Sequence, residues 1–237
     1  MKTIGLLFLL AALPAAQASL ITFSTPTGST AGGGAVNATA TFTTSANQLV
    51  ITLTNLLADP GNVGQNLSDL AFNLSITNPG SSALTSSSVL ALRTIASDGS
   101  YVDSNAGSST GWALSSTGGG GVLLNVLGTP VGPAHTIVGP PNGSNLYASA
   151  NDSIAHTGGP HNPFIDQSAT FTLSMVGVTS DTTVTAATFS FGTTAGDNVP
   201  GTSRVPPNSI PEPASLLLMG GGVVLLGSIR RILRTRS

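Results

Sequence analysis

Val36-Asn-Ala-Thr-Ala-Thr-Phe42 alternates strictly, with Val36, Ala38, Ala40 and Phe42 on one side of an extended chain and Asn37, Thr39 and Thr41 on the other. Side chains of a β-strand point to opposite faces with a period of two, so this stretch reads as a half-buried antiparallel strand. The alternation returns in Leu49-Val-Ile-Thr-Leu-Thr54 and Leu70-Ala-Phe-Asn-Leu-Ser-Ile76, and again over residues 89–95, 122–127, 169–175 and 184–191. Threonine dominates the wet positions, where it suits a pleated surface and gives solubility without charge. Turn signals separate the runs: Asp59-Pro60-Gly61-Asn62, Asn78-Pro79-Gly80, Asp98-Gly99, residues 118–121 and Gly196-Asp197-Asn198. Short strands so punctuated, with no long helical period and no clear internal repeat, predict an all-β fold, an antiparallel β-sandwich of jelly-roll type. Two stretches keep a second reading: residues 123–127 as a short helix, and residues 68–70 as a helical turn.

The charge pattern excludes several functions. Only 7% of the 237 residues are charged, against roughly 25% in an ordinary soluble domain. Lys2 stands near one end and Arg230, Arg231, Arg234 and Arg236 near the other, leaving Arg93 and Arg204 as the cations between them, among eight aspartates. An acidic middle without basic clusters does not neutralise phosphates, so no nucleic-acid partner is expected. The absence of Cys removes disulfides, thiol catalysis and cysteine metal sites. Lys2 is the single lysine and Glu212 the single glutamate, so a P-loop lysine, a Schiff-base lysine and a glutamate acid/base pair are excluded unless those two terminal residues supply them.

Both ends read as addresses. Residues 1–18 have the form of a signal peptide: Lys2, an apolar run over residues 4–13, and a small-x-small cleavage site at Ala16 and Ala18, with Ser19 opening the mature chain. Its expected partners are the Sec machinery and signal peptidase. An uncleaved anchor is the alternative, but about ten apolar residues closed by Pro14 are too few to span roughly 30 Å of hydrocarbon. At the other end stand Pro211-Glu212-Pro213, an apolar segment over residues 213–229 and the four arginines. Prolines hold the chain extended and open to an enzyme, and Pro213 suits the first position of a helix. The segment is near the lower limit for a membrane span, and the arginines set its orientation with the basic end cytoplasmic. A plain C-terminal anchor is the simpler reading of the same pattern.

Ile-Pro-Glu-Pro-Ala-Ser, the short hydrophobic stretch and the basic end closely resemble the PEP-CTERM sorting tail of exported bacterial proteins, also described as the ice-binding protein C-terminal domain. The resemblance covers residues 210–237. It implies recognition by an exosortase, a membrane-embedded cysteine transpeptidase, cleavage near Pro211, Glu212 and Pro213, and delivery from an inner-membrane intermediate to the cell surface or matrix of a Gram-negative bacterium. Ice binding is not implied, because the tail is an address shared by many cargos. The chain then divides into a signal peptide (1–18), a β-sandwich cargo (19–191), a flexible linker (192–209) and the sorting tail (210–237).

Within the cargo, polar residues gather between His135 and Asp166, including His156, His161 and Asp152. Histidine with carboxylate is a metal-ligand set, but the five-residue step from His156 to His161 in a Gly/Pro loop fits no metal motif. No metal and no cofactor are expected, and His135 and His161 read better as loop residues bonding backbone carbonyls. Residues 161–193, which contain His161-Asn-Pro-Phe164 and Phe189-Ser-Phe-Gly-Thr193, resemble the C-terminal part of other PEP-CTERM cargo domains. That implies a supporting role for the His-Asn-Pro-Phe turn, with Phe164 in the core beside Phe171, Phe189 and Phe191. Gly107-Ser108-Ser109-Thr110-Gly111 matches the nucleophile elbow by letters, though the motif needs a strand before it and a helix after it. Asp98-Gly-Ser-Tyr-Val-Asp103-Ser-Asn105 lacks the order of a calcium loop and reads as an ordinary turn. The five N-x-S/T triplets, beginning at Asn37, Asn66, Asn73, Asn142 and Asn151, carry no assigned role. Trp112, Tyr101 and Tyr147 form either a sugar-stacking platform, with His156 and His161 as further ligand candidates, or part of the core and its rim. The leading expectation is a non-enzymatic exported protein. The alternatives are a module binding exopolysaccharide and, behind it, a secreted hydrolase.

Overall fold

The computed structural model describes residues 18–204, apart from 77–78, 106–108, 120, 157–160 and 195. Ala18 and Ser19 lie within this region. Ala16, Pro211, Glu212, Pro213, Arg230, Arg231, Arg234 and Arg236 lie outside the described residues, as does the expected span at 213–229. Among the described residues no helix is long and apolar enough to cross a membrane.

Strands β1 (Ser19–Ser24), β2 (Thr30–Ala31), β3 (Gly34–Ala35), β4 (Ala38–Ser45) and β5 (Gln48–Asn55) precede a short helical turn at Val63–Gln65. Then come β6 (Leu67–Leu74), β7 (Ser82–Val89), β8 (Leu92–Ile95), β9 (Tyr101–Ser104), β10 (Ala113–Gly118) and β11 (Gly121–Asn125). The last are β12 (Ile137–Val138), β13 (Phe164–Asp166), β14 (Ser168–Met175), β15 (Val184–Phe191), β16 (Asn198–Pro200) and β17 (Thr202–Arg204). One sheet runs β17-β1-β4-β5-β14-β7. The other runs β10-β11-β6-β12-β13-β8-β9, with β15 also on β6 and β16 on β15.

The period-two pattern decides which side of each strand is dry. In β4 and β14 buried and half-buried residues alternate along all eight positions. Phe42 of β4 and Phe72 of β6 meet with ring centroids 5.3 Å apart, so the two sheets share one core. Burying such a ring contributes roughly 1.5–3 kcal/mol. The opposite side of the first sheet is a threonine surface. Register aligns Thr22 with Thr41, Thr41 with Thr52, and Thr52 with Thr170. Hydroxyl contacts link Thr22 to Thr41 at 3.2 Å, Thr52 to Thr170 at 3.3 Å and Thr54 to Ser168 at 3.0 Å.

Two left-handed residues set the turns that matter most. Asn47 (φ 55°) closes the β4–β5 hairpin. Asparagine tolerates this region because its amide can bond locally, and here its Oδ1 accepts from Gly177 N at 3.0 Å. Gln167 (φ 54°) lies between β13 and β14, where the chain passes from one sheet to the other. Beside it the fully buried Asn55 donates to Gln65 O and Ile137 O, both at 3.0 Å, and accepts from Leu57 N at 3.1 Å.

The structure corrects the sequence reading in four places. Residues 198–204, expected as linker, form β16 and β17; β17 pairs with β1, and Val199 is buried. Three-residue strands are too short to show a period. The run 89–95 is two strands in different sheets, because the chain crosses over at the exposed Leu90. The strands are not all antiparallel, since β12 and β13 pair parallel. Phe164 packs with Ile95, Val138, Tyr147, Ile154 and Ala155 in a second, smaller core, away from Phe171, Phe189 and Phe191. Where two readings were open, residues 121–125 and 67–74 are strands.

Candidate functional site

The densest polar chemistry among the described residues gathers on Arg93. The β8–β9 hairpin turns at Asp98-Gly99 and sets Arg93 directly opposite Asp103. Phe164 of β13 is the partner on its other side, and Asp166 follows two residues later on the same strand. The guanidinium donates from Nε to Asp103 Oδ1 at 2.8 Å, from Nη2 to Asp103 Oδ2 at 2.7 Å and from Nη1 to Tyr147 Oη at 3.0 Å. Nη1 also pairs with Asp166 Oδ1 at 2.7 Å. Its carbon sits 3.9 Å from the centroid of the Tyr101 ring, a cation–π distance. Tyr147 passes the network on by donating to Gly139 O at 2.8 Å.

One cation here faces two carboxylates while only 5% exposed. Burial works against the charge on Arg93, but the hydrogen bonds to Asp103 and Tyr147, with the charge of Asp166, hold the guanidinium protonated above its ordinary range. Burial pushes the Asp166 carboxyl above the usual carboxylate range, and Arg93 pulls it only partly back. Burial likewise pushes the Tyr147 phenol up to about 12. Each of its three nitrogens is engaged, so the cluster fastens β8, β9 and β13 to the 139–147 loop.

The sequence candidates fall in separate places. His135 (φ 60°) donates its N–H to Pro163 O at 2.9 Å, and its Nδ1 lies 2.9 Å from Thr110 O. His156 is exposed, and its carbonyl accepts from Asn162 Nδ2 at 2.7 Å. His161 has a buried Nδ1 without a partner among the described residues, and burial lowers its pKa. Asn162 also bonds Ile95 N and O, both at 3.2 Å, giving the His-Asn-Pro-Phe turn its anchor. No group of three or more His, Asp or Glu stands together as metal ligands among the described residues.

Trp112 and Tyr147 are core residues, the second of the two readings given for them. Trp112 is 5% exposed, lies 5.2 Å from the Phe171 ring and donates Nε1–H to His135 O at 2.9 Å. Tyr147 is 1% exposed and stands edge-on to Tyr101 at 5.8 Å. Neither offers an open face for a sugar. The Gly107–Gly111 match lacks its context too: strand β10, not a helix, follows, and Ser109 Oγ accepts from Gly111 N at 3.3 Å. Asp98 is exposed and caps its own turn; bonds from Ser100 hold its carboxyl below the usual range.

A cleft of about 340 Å3 opens beside β1 and β17, lined by Ser24–Gly28, Val36, Asn37, Thr39, Leu56 and Arg204. Hydroxyls, one amide and one guanidinium line it, with no carboxylate or histidine to move a proton. Sequence reading singled out neither this cleft nor the Arg93 cluster. A signal for the cluster was present: folding the chain about Asp98-Gly99 brings Arg93 onto Asp103.

Comparison with known proteins places the functional signal in the tail. The family model for the PEP-CTERM protein-sorting motif matches residues 209–232. The chain therefore carries a PEP-CTERM sorting motif, the mark of an exported protein processed at the membrane by an exosortase-type enzyme. No curated protein and no solved structure matches the chain.

Proposed function

We propose that this chain is a non-enzymatic exported cargo, with a β-sandwich of jelly-roll type held at the inner membrane by its C-terminal segment and then sorted to the cell surface or extracellular matrix of a Gram-negative bacterium. The observation that carries the reading is the sorting motif at residues 209–232 directly behind a folded domain that closes with β17. Only Val205, Pro206, Pro207 and Asn208 separate Arg204 from the motif. The two prolines have no N–H to donate to a strand ladder. Export of residues from Ser19 onward by the Sec route, cleavage by signal peptidase after Ala18 and exosortase cleavage near Pro211, Glu212 and Pro213 complete the route. Arg230, Arg231, Arg234 and Arg236 keep the basic end cytoplasmic until cleavage.

Binding of exopolysaccharide is the weaker reading, because Trp112 and Tyr147, the rings it called on, are buried. Fractionation of cells with and without the exosortase tests the proposal. The protein is expected in the surface or matrix fraction when the enzyme is present and in the inner membrane when it is absent. Identical distribution in both strains would overturn it.

A further inference from the structure

The described residues contain two arginines and no lysine. Arg93 is held by Asp103 and Asp166, whereas Arg204 makes no ion pair among the described residues. Arg204 ends β17, where register sets it beside Thr22 of β1 on the outer, threonine-bearing side of the first sheet. Elsewhere on that side hydroxyls meet one another, as Thr22 meets Thr41, Thr52 meets Thr170 and Thr54 meets Ser168. Ser24 and Thr39 also stand opposite each other in register. The side-chain bond at Ser24 nevertheless goes to its carbonyl, from Thr202 Oγ1 at 3.2 Å, and neither the Ser24 nor the Thr39 hydroxyl has a hydrogen-bond partner among the described residues. Ser24 is only 7% exposed, and both residues line the cleft of about 340 Å3 that Arg204 also lines. Enclosed polar groups are normally satisfied, so hydroxyls left open on a cleft are available to what enters it.

We propose that this cleft binds the ring of an acidic sugar, with the sugar carboxylate on Arg204 and its hydroxyls on Ser24, Thr39 and Asn37. Each part of the lining selects one part of that ligand. The planar guanidinium fork matches a carboxylate at two points. Among the described residues no Asp or Glu lines the cleft to repel it. One cation balances a carboxylate but not a phosphate monoester, which carries about −1.5 to −2 at neutral pH. Pro26 and the 40% exposed Leu56 give an apolar wall for the C–H face of a ring. The volume lies at the lower end of the roughly 300–1,000 Å3 typical of small-molecule sites, which combine such apolar walls with a few placed polar groups. The site uses neither Trp112 nor Tyr147 and is independent of the sorting route.

The test titrates the full chain in mild detergent with glucuronate by calorimetry, beside glucose, acetate and inorganic phosphate. Glucuronate is expected to bind at least about tenfold more tightly than glucose, which lacks the charge, and than acetate, which lacks the ring. Phosphate is expected to bind as weakly as acetate. Arg204→Gln is expected to weaken glucuronate by about tenfold or more, and Thr39→Val, which replaces a hydroxyl by a methyl, by about two- to tenfold. Both variants are expected to keep the wild-type melting midpoint. A glucuronate disaccharide distinguishes the sources of the ring: tighter binding than the monomer marks a residue within a glycan, and equal or weaker binding marks a free sugar acid. No binding of glucuronate, equal affinity for glucose, acetate or phosphate, or binding indifferent to either substitution overturns the proposal.

Discussion

Arg93 and Asp103 face each other across the β8–β9 hairpin in a two-point pair, Nε to Oδ1 at 2.8 Å and Nη2 to Oδ2 at 2.7 Å. The remaining nitrogen turns inward to Asp166 and Tyr147. A single side chain thus neutralises the one buried carboxylate of the smaller core and orients the tyrosine that reaches Gly139.

Removing the guanidinium leaves Asp166 buried and unpaired. Arg93→Met is expected to lower unfolding free energy by about 3–5 kcal/mol, because breaking a buried pair from one side costs more than the pair itself contributes. Arg93→Lys keeps the charge but not the fork, so a smaller loss is expected. Urea denaturation checks both; a neutral Arg93→Met would show that the pair carries no structural weight.

Burial raises the Asp69 carboxyl above its usual range, and a hydrogen bond with Ser190 pulls it partly back. The folded chain then holds this proton more tightly than the unfolded one. The stability gained this way is fully present below the unfolded value, about 3.9, and is lost as pH rises through the folded value. Asp69→Asn imitates the protonated form. Its urea midpoint is expected above that of wild type near neutral pH, with the gain gone at about pH 3. An Asp69→Asn variant weaker than wild type near neutral pH would contradict the sign.

Trp112 is the only tryptophan in the chain, so its fluorescence reports on one place. Blue-shifted emission, poorly quenched by acrylamide and shifting red on unfolding, is expected from its position against Phe171. Trp112→Phe strands the His135 carbonyl and is expected to cost about 1–3 kcal/mol. Trp112→Ala adds a cavity and is expected to cost about 3–5 kcal/mol. Emission like that of free tryptophan in the native protein would refute the buried placement.

Two glycines in one loop should respond differently. A methyl at Gly139 would run into the Leu57 carbonyl, whereas at Gly143 it meets nothing within 4 Å. Gly139→Ala is expected to destabilise by about 1–3 kcal/mol through overpacking, and Gly143→Ala to stay within about 0.5 kcal/mol of wild type. Thermal melts of the pair check the contrast.

Alternation revealed the large strands because β4, β5, β6, β14 and β15 each run eight residues and wet one face. It missed β7, equally long but without apolar alternation in Ser82-Ala-Leu-Thr-Ser-Ser-Ser-Val89, and also β1, β9 and β10; β2, β3, β12, β13, β16 and β17 have two or three residues and are held by their neighbours rather than by any pattern of their own. The run at 89–95 misled because apolar spacing persists across the crossover at Leu90. Trp112 and Tyr147 could not be placed from sequence: an aromatic suits a core and a binding face alike, and only the position of the His135 and Gly139 carbonyls decides. The sorting tail was readable because its tripeptide, apolar segment and basic end carry their meaning in linear order, without any fold.

The intact mass of the mature protein, with sequencing of both termini, tests the sorting account most directly. The account predicts an N-terminus at Ser19 and a C-terminus near Pro211, Glu212 and Pro213, upstream of the apolar segment, in cells that contain the exosortase. A mature chain that still ends in Ser237 in those cells would contradict it.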